Sequence, residues 1–168
     1  HLDADEDWTA VTIPHDAMLY EPRHALAASG LNSGWFEGRD YEYVKHFMPE
    51  RDMVGSRMLL EFEGVYHHAE VWVNGEKAAF RPYGYTNFYV DLTGRVRFGE
   101  DNEIRVIARN ADQPNSRWYS GAGIYRPVTL WTSPAEHIAV DGLFVRTIAA
   151  DPANGTARIR VEVETTAA

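Results

Sequence analysis

The sequence predicts an all-β chain: an antiparallel sandwich followed by the opening strands of a second β module. Three observations predict it. Apolar and polar residues alternate with period two in Met58-Leu59-Leu60-Glu61-Phe62-Glu63 and in Glu70-Val71-Trp72-Val73-Asn74, the repeat of a half-buried strand. Asn74-Gly75 ends the second run with the dipeptide that best tolerates the positive φ angles of a two-residue hairpin turn. Short strand-like runs then recur between turn residues, and no convincing amphipathic helix exceeds the ambiguous stretch from Asp16 to Ala28.

In chain order, the alternation puts Leu60, Phe62, Val71 and Val73 on buried faces. Further strands are expected over residues 85–92, 103–109 and 127–132, separated by turns such as Gly99-Glu100-Asp101-Asn102. Trp72 and Trp131 fall inside strands and are expected in the core. After Ser133-Pro134 the pattern restarts, with strands over 137–147 and 158–164 around the turn Asp151-Pro152-Ala153-Asn154-Gly155. The expected boundary therefore divides a first domain, residues 1–133, from a truncated second, residues 134–168. Arg158-Ile159-Arg160-Val161-Glu162-Val163-Glu164 alternates cleanly, so one of its faces is expected to pack on something. Two strands do not make an independently stable sheet, and the natural protein is expected to continue beyond Ala168. Position 1 is His rather than Met, so the native start is expected to have been removed or to lie upstream.

The 168 residues, 45% hydrophobic and 24% charged, suffice for one sandwich-sized domain with a real core and part of another. A net charge of −9 repels polyanions, so neither nucleic acid nor an acidic membrane is an expected partner, and a neutral ligand fits better. There is no cysteine, hence no disulfide and no thiolate metal site, and nothing argues for an oxidising compartment. A cytoplasmic location is the expectation. No run approaches the ~18 apolar residues of a membrane span, and the acidic start His1-Leu2-Asp3-Ala4-Asp5 is unlike a signal peptide.

Catalytic signatures are sparse. There is no G-x-S-x-G nucleophile elbow. The seven histidines are scattered, and the adjacent pair His67-His68, read as part of a strand, points to opposite faces and cannot share a metal ion. Gly121-Ala122-Gly123 lacks the third glycine and the strand-to-helix setting of a dinucleotide loop, so neither metal nor cofactor is expected. Asn154-Gly155-Thr156 matches the glycosylation pattern, as isolated triplets do by chance. The 25 acidic residues include no spacing that identifies two carboxylates held roughly 5–9 Å apart across a sugar. His15-Asp16 reads either as an acid–base pair or as a surface His beside a turn-capping Asp.

The positive signal is aromatic. Trp35-Phe36 lies among glycines, Tyr83 stands near Tyr85, and Arg117-Trp118-Tyr119-Ser120-Gly121-Ala122-Gly123-Ile124-Tyr125-Arg126 is a long polar and glycine-rich loop sequence. Pyranoses present apolar C–H faces that pack on aromatic rings, while Asn, Asp and Arg satisfy their hydroxyls. Gly64-Val65-Tyr66-His67-His68 runs straight into the hairpin strand and reads as packing.

Taken together, several segments resemble the N-terminal sugar-binding domain of glycoside hydrolase family 2, the group of β-galactosidases, β-glucuronidases and β-mannosidases. They are Trp8-Thr9-Ala10-Val11-Thr12-Ile13-Pro14-His15-Asp16-Ala17, the A-E-V-W-V-N-G core within Gly64 to Gly75, Gly84-Tyr85-Thr86-Asn87-Phe88, Asn102-Glu103-Ile104-Arg105-Val106, and Ser116 to Leu130. The resemblance spans residues 8 to 133. It implies a jelly-roll-type antiparallel β-sandwich, followed by the first strands of an immunoglobulin-like sandwich. It also implies a (β/α)8 barrel elsewhere that holds two catalytic glutamates of a retaining mechanism; no position here matches those motifs, so no catalytic residue is assigned. The loop ending in G-I-Y-R is the family's usual contribution to the sugar pocket, which nominates Asn115, Ser116, Arg117, Trp118 and Tyr119, with Asp112 in place of the acid that some members carry where this chain has Arg117. The loop looks more like that of β-galactosidases than of β-glucuronidases. Three roles stay open: a non-catalytic sugar-binding domain that completes a hydrolase pocket and buttresses its barrel, an autonomous carbohydrate-binding module, and a packing module that touches no sugar.

Overall fold

The computed structural model describes residues 8–166. Among them, nine strands run in order: β1 (Tyr41–Phe47), β2 (Arg57–Phe62), β3 (Ala69–Val73), β4 (Glu76–Arg81), β5 (Phe88–Asp91), β6 (Asn102–Ala108), β7 (Val128–Ser133), β8 (His137–Asp151) and β9 (Thr156–Thr166). The stretch from Asp16 to Ala28 holds a single 3-10 turn, Ala17–Tyr20, and no α-helix. The described residues divide into two compact units, one of residues 8–54 with 58–131 and one of residues 132–166 with 55–57.

The larger unit is a β-sandwich. One sheet has the order β1-β6-β3-β4 and the other β5-β2-β7; β1–β6, β3–β6, β3–β4 and β2–β5 all pair antiparallel. The hairpin between β3 and β4 turns on two residues, Asn74 at φ 50° and Gly75 at φ 83°, with Val73 opposite Glu76. Those are the angles the Asn-Gly dipeptide was expected to supply. The turn is tied down as well, since Asn74 Nδ2 donates to the Asn102 side chain at 2.9 Å and Asn74 Oδ1 accepts from the Glu103 amide at 3.0 Å.

Period two then decides what fills the sandwich. Met58, Leu60 and Phe62 from β2 meet Val71 and Val73 from β3 and Ile104 and Val106 from β6 in one buried cluster. Phe62 stacks on Phe88 at 5.0 Å and 8°. Each fully buried side chain of this size stabilises the fold by about 1.5–3 kcal/mol relative to exposure.

The structure departs from the sequence-based expectations at several elements. Strand β1 was not expected: none of its residues is fully buried, so its apolar repeat is diluted by Glu42, Lys45 and His46. Strand β5 begins at Phe88 rather than at residue 85, because Tyr83 to Asn87 form an irregular turn braced by Arg81 Nη2 on Thr86 Oγ1 at 2.8 Å. Trp131 is not core but 55% exposed. It shares the outer face of its sheet with Glu61, to which its indole N–H donates at 2.8 Å. Trp72 is half-buried on the side of β3 opposite Val71 and Val73, under the Lys77 ammonium 5.7 Å from its ring. His67 and His68 lie outside any strand; with His68 at φ 46° their rings do not diverge but sit 4.3 Å apart.

The smaller unit contains the β8–β9 ribbon, paired antiparallel with irregularities between Ile138 and Leu143 and between Thr147 and Ala149. Every residue of β9 except Thr166 is exposed. The face expected to pack is thus uncovered among the described residues, because β8 and β9 form a two-stranded sheet of their own.

Candidate functional site

At one end of the larger unit, the chain from Asn110 to Gly123 forms a loop with only an isolated bridge at Gly123. Its stem is fixed by Asp40, whose Oδ1 accepts from the amides of Asn110 at 2.9 Å and Ala111 at 3.0 Å, while Oδ2 pairs with Arg109 at 3.2 Å. Arg109 also bonds Glu70 at 2.8 Å, and this bond, with a second from Lys77, holds the Glu70 carboxyl below its usual range.

Asn115 is the next anchor. Its Oδ1 accepts from the buried Tyr66 hydroxyl at 3.1 Å, and its Nδ2 donates to Asn110 Oδ1 at 2.9 Å and the Asp112 carbonyl at 2.8 Å, with His67 Nε2 at 3.1 Å. Burial first, and then the neighbouring His68, push His67 below its ordinary pKa, so the neutral ring can present an acceptor to Asn115. The Ser116 hydroxyl bridges the amide and carbonyl of Trp118 at 3.2 and 2.8 Å, which closes a tight turn.

The return limb is held by a residue from the far end of the sequence. Asp16 Oδ2 accepts from the Tyr119 hydroxyl at 2.6 Å, and Oδ1 accepts from the Ala122 amide at 2.9 Å and the Met18 amide at 3.2 Å. Backbone bonds from His15 to Ile124 at 2.7 Å and from Ala17 to Ala122 at 3.0 Å extend the joint. Ala122 is fully buried between Gly121 at φ 74° and Gly123 at φ 81°. At Gly123 a Cβ would meet the Tyr43 hydroxyl, so the close approach demands glycine. The Tyr119 phenol is pushed up by burial and by Asp16, and Tyr43 to about 12 chiefly by burial; both stay protonated donors.

The six residues nominated from sequence lie on this loop but point their chemistry in two directions. Asn115, Ser116 and Tyr119 spend their polar atoms on bonds that hold the loop in place, within it and to Tyr66, His67 and Asp16. Arg117 and Trp118 stand at the exposed tip, Trp118 at 62% exposure with its indole N–H donating to the Tyr85 hydroxyl at 3.4 Å. Asp112 is exposed near the start, its carbonyl taken by Asn115. Sequence reasoning missed Asp40, Tyr66 and His67 as loop anchors, and left Asp16 open between an acid–base pair with His15 and a turn cap; it caps Met18 and also accepts from Tyr119 and Ala122. Among the described residues no three His, Asp or Glu side chains are grouped to hold a metal ion. A cavity of about 780 Å³ lies along the N-terminal segment, lined by Pro14, His15, Asp16, Leu19, Tyr20 and Tyr41 among others, and no residue of the loop lines it. The carboxylates of Asp16 and Asp40 that anchor the loop are committed as acceptors, which leaves Arg117 and Trp118 as its exposed groups.

A family profile described as glycosyl hydrolase 2 galactose-binding domain-like matches residues 6–151. The chain belongs to that family. A β-galactosidase from Bacteroides ovatus is 39% identical over 148 residues, 88% of this chain and 17% of that protein. A β-glucuronidase from Formosa agariphila is 29% identical over 157 residues, covering 81% of this chain and 15% of its own length. Among solved structures, a β-glycosidase from Bacteroides vulgatus matches 97% of this chain and 21% of its own, with 30% identity and a TM-score of 0.86. The chain therefore spans less than a quarter of each of these relatives, and as an N-terminal glycosyl hydrolase 2 domain it has the antiparallel sandwich the family implies.

Proposed function

We propose that the chain is the non-catalytic sugar-binding domain of a family-2 glycoside hydrolase that removes terminal β-galactosides, and that its loop tip forms one wall of the substrate pocket. The observation that carries this reading is the division within the loop. Its stem is pinned by Asp40, Asn115 and Asp16, while Arg117 and Trp118 are held outward and exposed. A rigid stem that presents an aromatic ring and a cation has little ordering left to do on binding. The catalytic glutamates belong, in this reading, to a barrel elsewhere in the same protein, and the apolar side chains exposed on β8 and β9 meet the remaining strands of an immunoglobulin-like domain.

The test is steady-state kinetics of the complete hydrolase carrying this chain. Trp118→Ala is expected to lower kcat/KM on a β-galactoside by at least tenfold with no loss of stability; unchanged kinetics would sink the reading and favour a packing role. The 168-residue chain alone should bind galactose weakly, since a few exposed hydrogen bonds contribute only about 0.5–1.5 kcal/mol each. Sub-micromolar affinity by calorimetry would instead favour an autonomous binding module.

One observation favours a second substrate. Arg117 is exposed and has no ion-pair partner among the described residues, so it suits a β-glucuronide, whose carboxylate an arginine recognises with two parallel bonds. Arg117→Ala separates the two: selective loss on the glucuronide supports this alternative, and equal loss on both sugars supports the first.

A further inference from the structure

Beside the loop tip lies a second aromatic group that the terminal-sugar reading does not use. Tyr83 is 58% exposed, its ring centre 5.6 Å from that of Tyr85 and inclined by 60°. The Tyr85 hydroxyl accepts from the Trp118 indole at 3.4 Å, and its ring meets Tyr66 edge-on at 5.3 Å. Tyr83, Tyr85 and Trp118 therefore form a continuous aromatic run from the turn before β5 to the loop tip.

The backbone under this run is fixed from both sides. The Tyr125 hydroxyl donates to the Gly84 carbonyl at 2.7 Å, and Arg126 Nη1 donates to the Tyr85 carbonyl at 3.3 Å. Gly84 itself lies so close to Tyr66 that a Cβ would stand 2.5 Å from its ring. The Tyr83 hydroxyl has no partner among the described residues, so an exposed ring and an open hydroxyl sit on an immobilised turn. In sequence Thr86 and Asn87 follow Tyr85, Ser116 and Arg117 precede Trp118, and Pro82 precedes Tyr83.

We propose that Tyr83, Tyr85 and Trp118 are a platform for further residues of a neutral oligosaccharide whose terminal sugar lies at Arg117 and Trp118; this rests on the function proposed above. Rings with hydroxyl edges match the apolar faces and polar rims of successive pyranoses. Tyr, Trp and Arg also suit a protein interface; what favours a hydroxylated ligand here is the exposed Tyr83 ring with its hydroxyl open to solvent. The chain's net charge of −9 disfavours polyanionic glycans. The preferred substrate is thus a saccharide chain rather than a galactoside of a small alcohol.

Two measurements test this. NMR titration of the 168-residue chain with galactose and with a β-galactosyl trisaccharide should show at least tenfold tighter binding of the trisaccharide, with shifts at Tyr83, Tyr85 and Trp118. Tyr83→Ala should reduce the trisaccharide to the affinity of galactose. In the complete hydrolase the same variant should lower kcat/KM on the trisaccharide at least fivefold and leave p-nitrophenyl β-galactoside unchanged. Equal affinity for the two sugars, no detectable binding of either, or a Tyr83→Ala variant that keeps its trisaccharide preference overturns the proposal. So does a variant with unchanged kinetics on both substrates and a lowered unfolding temperature, which would assign the face to domain packing. If Trp118→Ala still impairs hydrolysis of the aryl galactoside, the platform fails alone; if it does not, the underlying function fails with it.

Discussion

In β2, Met58, Leu60 and Phe62 alternate with Arg57, Leu59 and Glu61, and the first three are 0%, 7% and 1% exposed. In β9, Ile159, Val161 and Val163 alternate as regularly with arginines and glutamates, yet each is more than half exposed. The two strands share a sequence pattern and differ in their surroundings. Beneath β2 lie Val71, Val73, Ile104 and Val106 of the opposing sheet, whereas among the described residues β9 pairs only with β8. Alternation specifies a strand and which side chains share a face; burial follows only when a second layer covers that face.

The sharpest way to break this comparison is to truncate both strands. Phe62→Ala is expected to cost about 3–5 kcal/mol, the range for a buried Phe that leaves a cavity, while Val161→Ala should stay within about 0.5 kcal/mol. Urea unfolding of each variant measures both, and similar losses would refute the distinction. Next comes the loop joint. Asp16→Ala removes the acceptor for Tyr119, Ala122 and Met18 and should cost about 1.5–3 kcal/mol, as for hydrogen bonds to a charged group. Hydrogen exchange at the Ala122 amide should speed up, while amides of β2 keep their protection. Gly75→Ala should cost about 1 kcal/mol, since no atom lies within 4 Å of the added Cβ and only the positive φ is penalised; a larger loss would mean the hairpin shifts register.

The smallest effect is that of pH. Burial, and then His68, hold His67 below the ordinary imidazole value of 6.5 in the folded chain, so the unfolded chain binds the proton more readily. The stabilisation is complete above that value, declines as pH falls from it towards the lowered folded one, and is lost below both. Protonation also removes the acceptor that His67 Nε2 offers to Asn115. Chemical denaturation from about pH 7.5 to about pH 5 should show a shallower decline for His67→Gln than for the parent chain.

What could be read in advance follows the range of the interactions. The Asn74-Gly75 turn is encoded by two adjacent residues and was legible in full, as was the burial of Leu60, Phe62, Val71 and Val73. The exposure of Trp118 followed from the polar, glycine-rich sequence around it. Trp131 was misplaced because an indole looks like core until the outward Glu61, 70 residues away in sequence, is seen to hold it at the surface. The anchors of the loop were hidden for the same reason. Asn115 meets Tyr66 across 49 residues, and Asp16 meets Tyr119 across 103; nothing local to a carboxylate or a carboxamide announces such a partner.

That long reach of Asp16 carries a consequence for engineering. The shape of the segment Arg117–Tyr119 is written partly 103 residues upstream of Tyr119, so this loop transplanted by itself into a related scaffold arrives without its fastening. Exchange between homologues succeeds only when the cassette around Pro14-His15-Asp16 travels with the one around Gly121-Ala122-Gly123.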